Sequence, residues 1–153
     1  MDEQAKSARK FALDCLARRE HSFAELVSKL LEKGFETDCV SIILGKLRDE
    51  GLQSDHRFSE GYIRYRGRRG FGPRRISLDL EKRGVSSSII SDAFSVAEVD
   101  FYETAVSAFN KKFSAKAKSL AEKARQQRFM EYRGFFSEHV KYALGNGIED
   151  ENI

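Results

Sequence analysis

"LLEKGF" at residues 30–35 is answered by "LEKRGV" at 80–85 and "MEYRGF" at 130–135, which sets Gly34, Gly84 and Gly134 at intervals of 50 residues. Each glycine follows an apolar pattern of helical period and precedes an apolar residue. That layout predicts a helix ending with glycine in the left-handed conformation, with the next residue folded back onto the last turn. The pairs predicted to touch are Leu30 with Phe35, Leu80 with Val85 and Met130 with Phe135, all apolar.

The register persists on both sides of these turns. Val40, Ile90 and Val140 align, as do Ile43, Ala93 and Ala143, then Leu44, Phe94 and Leu144. Spacings of three and four residues place each set on one helix face. Upstream, Leu26 aligns with Ile76, and the first element of each unit supplies Leu13, Ile63 and Phe113. Helix starts are marked by Ser22 with Glu25 and by Ser119 with Glu122, the spacing of a capping box. In the middle unit Gly72–Pro73 takes that role, with proline at the first helical position. Helices are therefore predicted over 4–19, 22–33, 37–50, 55–67, 73–83, 86–96, 98–113, 119–133 and 137–145. Alternating apolar runs bounded by turn signals are absent, so no strand is predicted. A unit of this size buries only a small core, and adjacent units are expected to share apolar contacts. The fold class is all-α: three tandem three-helix repeats, helix-turn-helix-like, stacked in an elongated, curved array. The repeats are set at 1–53, 54–97 and 98–148, followed by an acidic tail at 149–153.

Composition narrows the setting. Of 153 residues, 41% are hydrophobic and 33% charged, too apolar for a disordered chain and too charged for a membrane one. The uncharged apolar stretch "VSIILG" (40–45) is far short of a spanning helix. The N-terminal "MDEQAKSARK" lacks the apolar run of a secretory signal. A cytoplasmic protein with no membrane association is expected. Cys15 and Cys39 sit in apolar helical patterns and are expected as reduced thiols rather than as a disulfide.

Net charge is only +3, but it is unevenly placed. Residues 57–83 carry +6 and residues 111–133 carry +6, leaving −9 on the rest of the chain. The first basic segment centres on "RYRGRRGFGPRR" (64–75), with six arginines, three glycines and no acid. Gly67, Gly70 and Gly72 suit a turn, yet a solvated turn would be served by mixed charges. Like charges at this density repel unless a polyanion or an acidic surface relieves them. Arg64, Arg66, Arg68, Arg69, Arg74 and Arg75 are therefore candidate binding residues, because the guanidinium fork donates paired hydrogen bonds to phosphate. Phe71, with Tyr62 or Tyr65, offers stacking to bases, and helix packing is an equal reading of those tyrosines. In the second basic segment Arg125 and Arg128, three apart on one helix face, are candidates with Arg133. Gly34, Gly72, Pro73, Gly84 and Gly134 are structural turn positions.

Catalysis finds little support. His21, His56 and His139 are not paired with one another or with cysteines at metal-ligand spacing, and are expected at the surface or at helix caps. Cys15 has no evident base partner, and no carboxylates cluster. "RGFGPRR" lacks the Gly-Lys-Ser/Thr ending of a nucleotide-binding loop. No enzyme, cofactor or metal is expected. Sequence-specific duplex binding through one helix-turn-helix unit is the alternative, but the third helices, "TDCVSIILGKLRDE" and "SSSIISDAFSVAE", are acidic or nearly uncharged where a recognition helix carries Arg, Asn or Gln.

Four blocks in order, "LARREHSFAELVSKLLEKGF" (16–35), "LRDEGLQSDHRFSEGYIRYR" (47–66), "GFGPRRISLDLEKRGV" (70–85) and "YRGF" (132–135), resemble the RecX family of bacterial recombination regulators. The combination R-x-R…G-x-G-P-x-R-I…L…K-x-G is its most specific part. The resemblance implies tandem three-helix units that bind filaments of the RecA recombinase on single-stranded DNA. It implies suppression of ATP hydrolysis, coprotease activity and strand exchange, and no catalysis by the chain itself. DNA is met directly or within the filament, and the free protein is expected as a monomer. The acidic "IEDENI" (148–153) lies outside the family pattern.

Overall fold

The computed structural model describes residues 2–148, and the predicted acidic tail lies outside them. Among the described residues there are nine helices and no strand. They are α1 (Glu3–Arg18), α2 (Phe23–Glu32), α3 (Thr37–Asp49), α4 (Asp55–Arg68), α5 (Pro73–Lys82), α6 (Ser87–Ala97), α7 (Phe101–Lys112), α8 (Leu120–Tyr132) and α9 (Ser137–Asn146). Most ends fall within a residue of the predicted ones. The exception is the start of α7, predicted at 98. Asp100 caps that helix, its Oδ1 accepting from the amides of Tyr102 and Glu103, while Glu98 takes a left-handed φ of 52°. Ser22 and Glu25 form the predicted capping box, with Oγ to the Glu25 amide at 3.1 Å and the Ser22 amide to Oε1 at 3.0 Å. Ser119 accepts from the Glu122 amide at 3.1 Å, but Glu122 turns to the Lys118 amide instead of completing the box.

The three repeated glycines close their helices as the sequence predicts. At Gly34 (φ 103°), Gly84 (φ 83°) and Gly134 (φ 96°) the following amide reaches back to the carbonyl five residues earlier. These bonds are Phe35 to Leu30 at 3.2 Å, Val85 to Leu80 at 3.1 Å and Phe135 to Met130 at 3.3 Å. Two more glycines, Gly51 and Gly70, close α3 and α4 in the same way with φ of 79° and 88°. Pairing the last carbonyls in this manner leaves the chain free to turn without orphaned polar groups.

The chain divides into two compact units, Met1–Gly61 with Leu80–Val96 and Tyr62–Asp79 with Ala97–Ile153, so helices α4 and α5 each contribute to both. In the first unit α3 packs on α1 and α2 around Ala8, Ala12, Cys15, Leu26, Leu30, Val40, Ile43, Leu44 and Leu47, all buried. In the second, α9 packs on α7 and α8 around Ala105, Ala108, Phe109, Met130, Phe135, Val140 and Ala143. Each large side chain buried here contributes about 1.5–3 kcal/mol relative to exposure. The aligned positions Val40, Ile90 and Val140 are buried, as are Ile43, Ala93 and Ala143. Leu44 is buried, whereas Phe94 and Leu144 are half-buried.

Two histidines depart from the expected surface positions. His21 and His139 are buried, at 3% and 7% exposure, and only His56 lies at the surface. His139 does cap α9, its Nδ1 accepting from the Phe136 amide at 3.3 Å. His21 instead donates Nδ1–H to the carbonyl of Arg19 at 3.0 Å, and burial is the largest influence lowering its pKa. Cys15 is a buried free thiol, and Cys39 is free and half-buried. Among the described residues no group of His, Cys, Asp or Glu could hold a metal ion, and no helix is long and apolar enough to cross a membrane.

Candidate functional site

The arginine stretch is organised by the turn that ends α4. Gly70 donates to the carbonyl of Gly67 at 2.9 Å and Phe71 to that of Arg66 at 3.1 Å. This is the geometry of the repeated glycine turns, but the pair brought together is Arg66 with Phe71 instead of two apolar residues. The Arg66 guanidinium lies 3.8 Å from the Phe71 ring centroid, close enough for a strong cation–π contact. Gly72 follows, and its amide donates to the Arg133 carbonyl at 2.8 Å. A Cβ on Gly72 would overlap the backbone of Gly134 and Phe135, so only glycine permits this crossing. Pro73 then starts α5, the Arg74 amide donates to the Gly134 carbonyl at 3.0 Å, and Arg75 occupies the first turn.

That crossing decides which arginines meet. Arg75 and Arg133 place their guanidinium carbons 5.2 and 4.6 Å from the same Phe71 ring that carries Arg66. Arg133 was grouped by sequence with Arg125 and Arg128, and the structure places it with Arg66 and Arg75. All three clustered arginines are half-buried. Arg66 has one acid nearby, Asp79, at 4.0 Å, and Asp79 also accepts from the Tyr62 hydroxyl at 3.2 Å. Its Nε is buried with no hydrogen-bond partner among the described residues. Arg75 donates weakly to the Tyr132 carbonyl at 3.5 Å, and among the described residues no carboxylate lies within ion-pair distance of Arg75 or Arg133.

The remaining candidates are dispersed. Arg69 lies over Tyr65 at 5.6 Å and Arg74 over Phe136 at 5.9 Å, both arginines exposed. Arg68 is exposed beside an open cavity of about 320 Å³ that Glu103 and Lys111 also line. Arg64, on α4, is exposed. Arg125 and Arg128 are exposed on α8. Sequence reasoning passed over Phe129, Tyr132 and Phe136, which interleave with the arginines: Phe129 carries Lys112 at 5.5 Å and Arg133 at 5.3 Å, and Tyr132 carries Arg75 at 5.4 Å. The signal was present in "RFMEYRGFF" (128–136), where basic and aromatic residues alternate across the end of α8 and the turn that follows it. Cation–π contact with these rings helps hold the guanidinium groups in place, and guanidinium N–H groups suit anions.

Three family descriptions cover most of the sequence. The first, second and third three-helix domains of RecX match residues 8–47, 54–93 and 98–144. The chain belongs to the RecX family. The regulatory protein RecX of Chromohalobacter salexigens is 36% identical over 98% of this chain and 99% of its own length. That of Pseudomonas putida (strain GB-1) is 39% identical over 93% of this chain and 92% of its own. The crystal structure of RecX from Lactobacillus salivarius superposes with a TM-score of 0.80 at 22% identity, covering 95% of this chain and 97% of that one, which establishes the shared fold. The RecX relatives are named regulatory proteins, and the tandem three-helix organisation read from Gly34, Gly84 and Gly134 is that of the family.

Proposed function

We propose that this RecX-family chain regulates the RecA recombinase, binding RecA filaments on single-stranded DNA and suppressing ATP hydrolysis, coprotease activity and strand exchange. The observation that carries this reading is similarity to regulatory RecX proteins along nearly the whole chain. In this reading the chain bridges neighbouring filament protomers. Arg64, Arg66, Arg68, Arg69, Arg74, Arg75, Arg125, Arg128 and Arg133 engage phosphate or acidic protein surface. Locking neighbours together opposes the movements that accompany ATP turnover. The chain acts in the cytoplasm, as a monomer without turnover of its own.

Duplex readout through a third helix finds no comparable support. The exposed residues of α6 include Ser87, Ser88, Ser91, Asp92 and Ser95, which offer no arginine, asparagine or glutamine to base edges. The deciding experiment is RecA ATPase on single-stranded DNA with this protein added up to stoichiometric excess. Inhibition is expected, and an unaltered rate would falsify the reading.

A further inference from the structure

The 50-residue register relates the two turn crossings residue by residue. In the first unit the turn at Gly84 meets the start of α2, where a Cβ on Gly84 would overlap Ala24. There the Ser22 hydroxyl donates to the Arg83 carbonyl at 2.7 Å. In the second unit the turn at Gly134 meets the start of α5, and the Gly72 amide donates to the Arg133 carbonyl at 2.8 Å. Ser22 corresponds to Gly72, and Arg83 to Arg133.

The charges do not correspond. At the first crossing Glu25 receives Arg83 at 2.5 Å and Arg19 at 3.4 Å, and its carboxylate side chain is only 13% exposed. Burial alone would raise its pKa, but the Ser22 amide, Arg19 and Arg83 outweigh burial and hold the carboxyl below its ordinary range. A shift of 50 turns Glu25 into Arg75, Arg83 into Arg133 and Arg19 into Arg69. The second crossing therefore keeps Arg133 in the place of Arg83 and replaces the anion with Arg75, while Arg69 lies apart over Tyr65 and Arg66, which aligns with Leu16, supplies the third cation. Phe71 then gathers Arg66, Arg75 and Arg133 on one ring, and the buried Arg66 Nε still lacks an acceptor.

We propose that the Arg66–Arg75–Arg133 cluster on Phe71 binds one phosphoryl group, which takes at this crossing the place that the Glu25 carboxylate fills at the other. A phosphoryl group suits the site because its several oxygens accept from more than one guanidinium fork at once. The anion joins the α4–α5 turn to the end of α8 and so stabilises the second unit, as any ligand selective for the folded state does. The site stands on this geometry, and it rests on the reading above only for DNA as the source of the phosphate.

The test is thermal unfolding of the full chain in sodium tripolyphosphate, in a single-stranded oligo-dT, and in sodium chloride at matched ionic strength. A rise in Tm that grows with the logarithm of ligand concentration is expected, about 5 °C at roughly 100-fold above the dissociation constant, and sodium chloride should not reproduce it. Arg75→Glu restores the carboxylate of the first crossing. It should melt higher than the parent without added phosphate and lose the phosphate response. Should that variant fail to fold, Arg133→Gln should lose the response while Arg128→Ala keeps it. A response to both ligands assigns the phosphate to DNA, and a response to tripolyphosphate alone supports the site with free phosphates as ligand. No rise in the parent, or an equal rise in parent, Arg75→Glu and Arg133→Gln, overturns the site whatever RecA assays show. An intact phosphate response with unaltered RecA ATPase would instead leave the site standing and remove the RecA reading.

Discussion

Gly72 and Gly134 cross backbone to backbone: neither position has room for a Cβ, and the Arg133 and Gly134 carbonyls between them accept from the amides of Gly72 and Arg74. One turn thus covers the amide-rich start of α5, where partial positive charge and unpaired donors need acceptors. The same crossing carries Arg133 onto Phe71, so the fold and the candidate site depend on the same few atoms.

Two glycines with the same backbone conformation separate the cost of that conformation from the cost of the crossing. Gly34 has φ 103° with nothing within 4 Å of a built Cβ, whereas Gly134 has φ 96° with Arg75 in the way. Gly34→Ala should cost about 1–2 kcal/mol, the left-handed penalty alone. Gly134→Ala should cost a further 1–3 kcal/mol or so, from overpacking against backbone. Urea unfolding of the two variants checks this, and equal losses would show that the crossing contributes nothing.

Acid should weaken the fold in two stages. Burial is the largest influence lowering the pKa of His21 and of His139; Glu138 and Asp100 oppose it at His139, while the Arg19 carbonyl and Glu25 oppose it at His21. A histidine held neutral in the folded state contributes stability above its ordinary pKa of 6.5, and that stability is lost as pH falls through the folded value, because the unfolded chain binds the proton more readily. Glu25, whose pKa is also lowered, adds a second loss below its ordinary 4.5. Protonation of His139 at Nδ1 removes the acceptor for the Phe136 amide. His139→Gln keeps an acceptor at the third helical position. It should show a shallower fall in unfolding free energy than the parent between about pH 7 and pH 5, and an unchanged slope would remove His139 from the account.

A buried glutamine tests the repeat directly. Gln126 stands in register with Leu26 and Ile76, is 6% exposed, and donates from Nε2 to the Ala115 carbonyl at 3.1 Å. Gln126→Leu restores the apolar residue of the other two repeats, and the exposed Ala115 can turn its carbonyl to water. Stabilisation of about 1 kcal/mol is expected, because apolar burial replaces a hydrogen bond of modest net worth. A lower Tm would mean that this bond fixes the segment before α8.

The helices were legible because their ends are written locally. Gly34, Gly84 and Gly134 need only their own helix to adopt a left-handed turn, and Ser22 needs only Glu25. The start of α7 was misplaced because helical periodicity was extended back past Asp100, although "DFYE" (100–103) offers a cap. The arginine stretch was legible as composition, but its grouping was not. Arg133 reaches Phe71 only through the Gly72–Arg133 hydrogen bond, and Asp79 reaches Arg66 from the last turns of α5. Neither approach follows from spacing along the chain. The burial of His21 and His139 was missed for the same reason, since tertiary neighbours decide it.

Salt dependence distinguishes the clustered arginines from those on the open face of α8. Arg125 and Arg128 are exposed and three apart, so each is expected to meet phosphate as a screened surface charge. Replacing both with alanine should leave Tm within about 1 °C, because neither supports the core. Affinity for single-stranded DNA should fall, and the slope of log K against log salt should become shallower by about 0.7 for each phosphate no longer neutralised. Arg75→Glu should differ on both counts, since it changes a half-buried cluster: Tm should move and the weaker affinity should persist at higher salt. Fluorescence anisotropy with a labelled oligo-dT across a salt series measures both slopes. Identical slopes for the parent and the Arg125→Ala, Arg128→Ala double variant would exclude α8 from DNA binding and leave Phe71 as the centre of the positive surface.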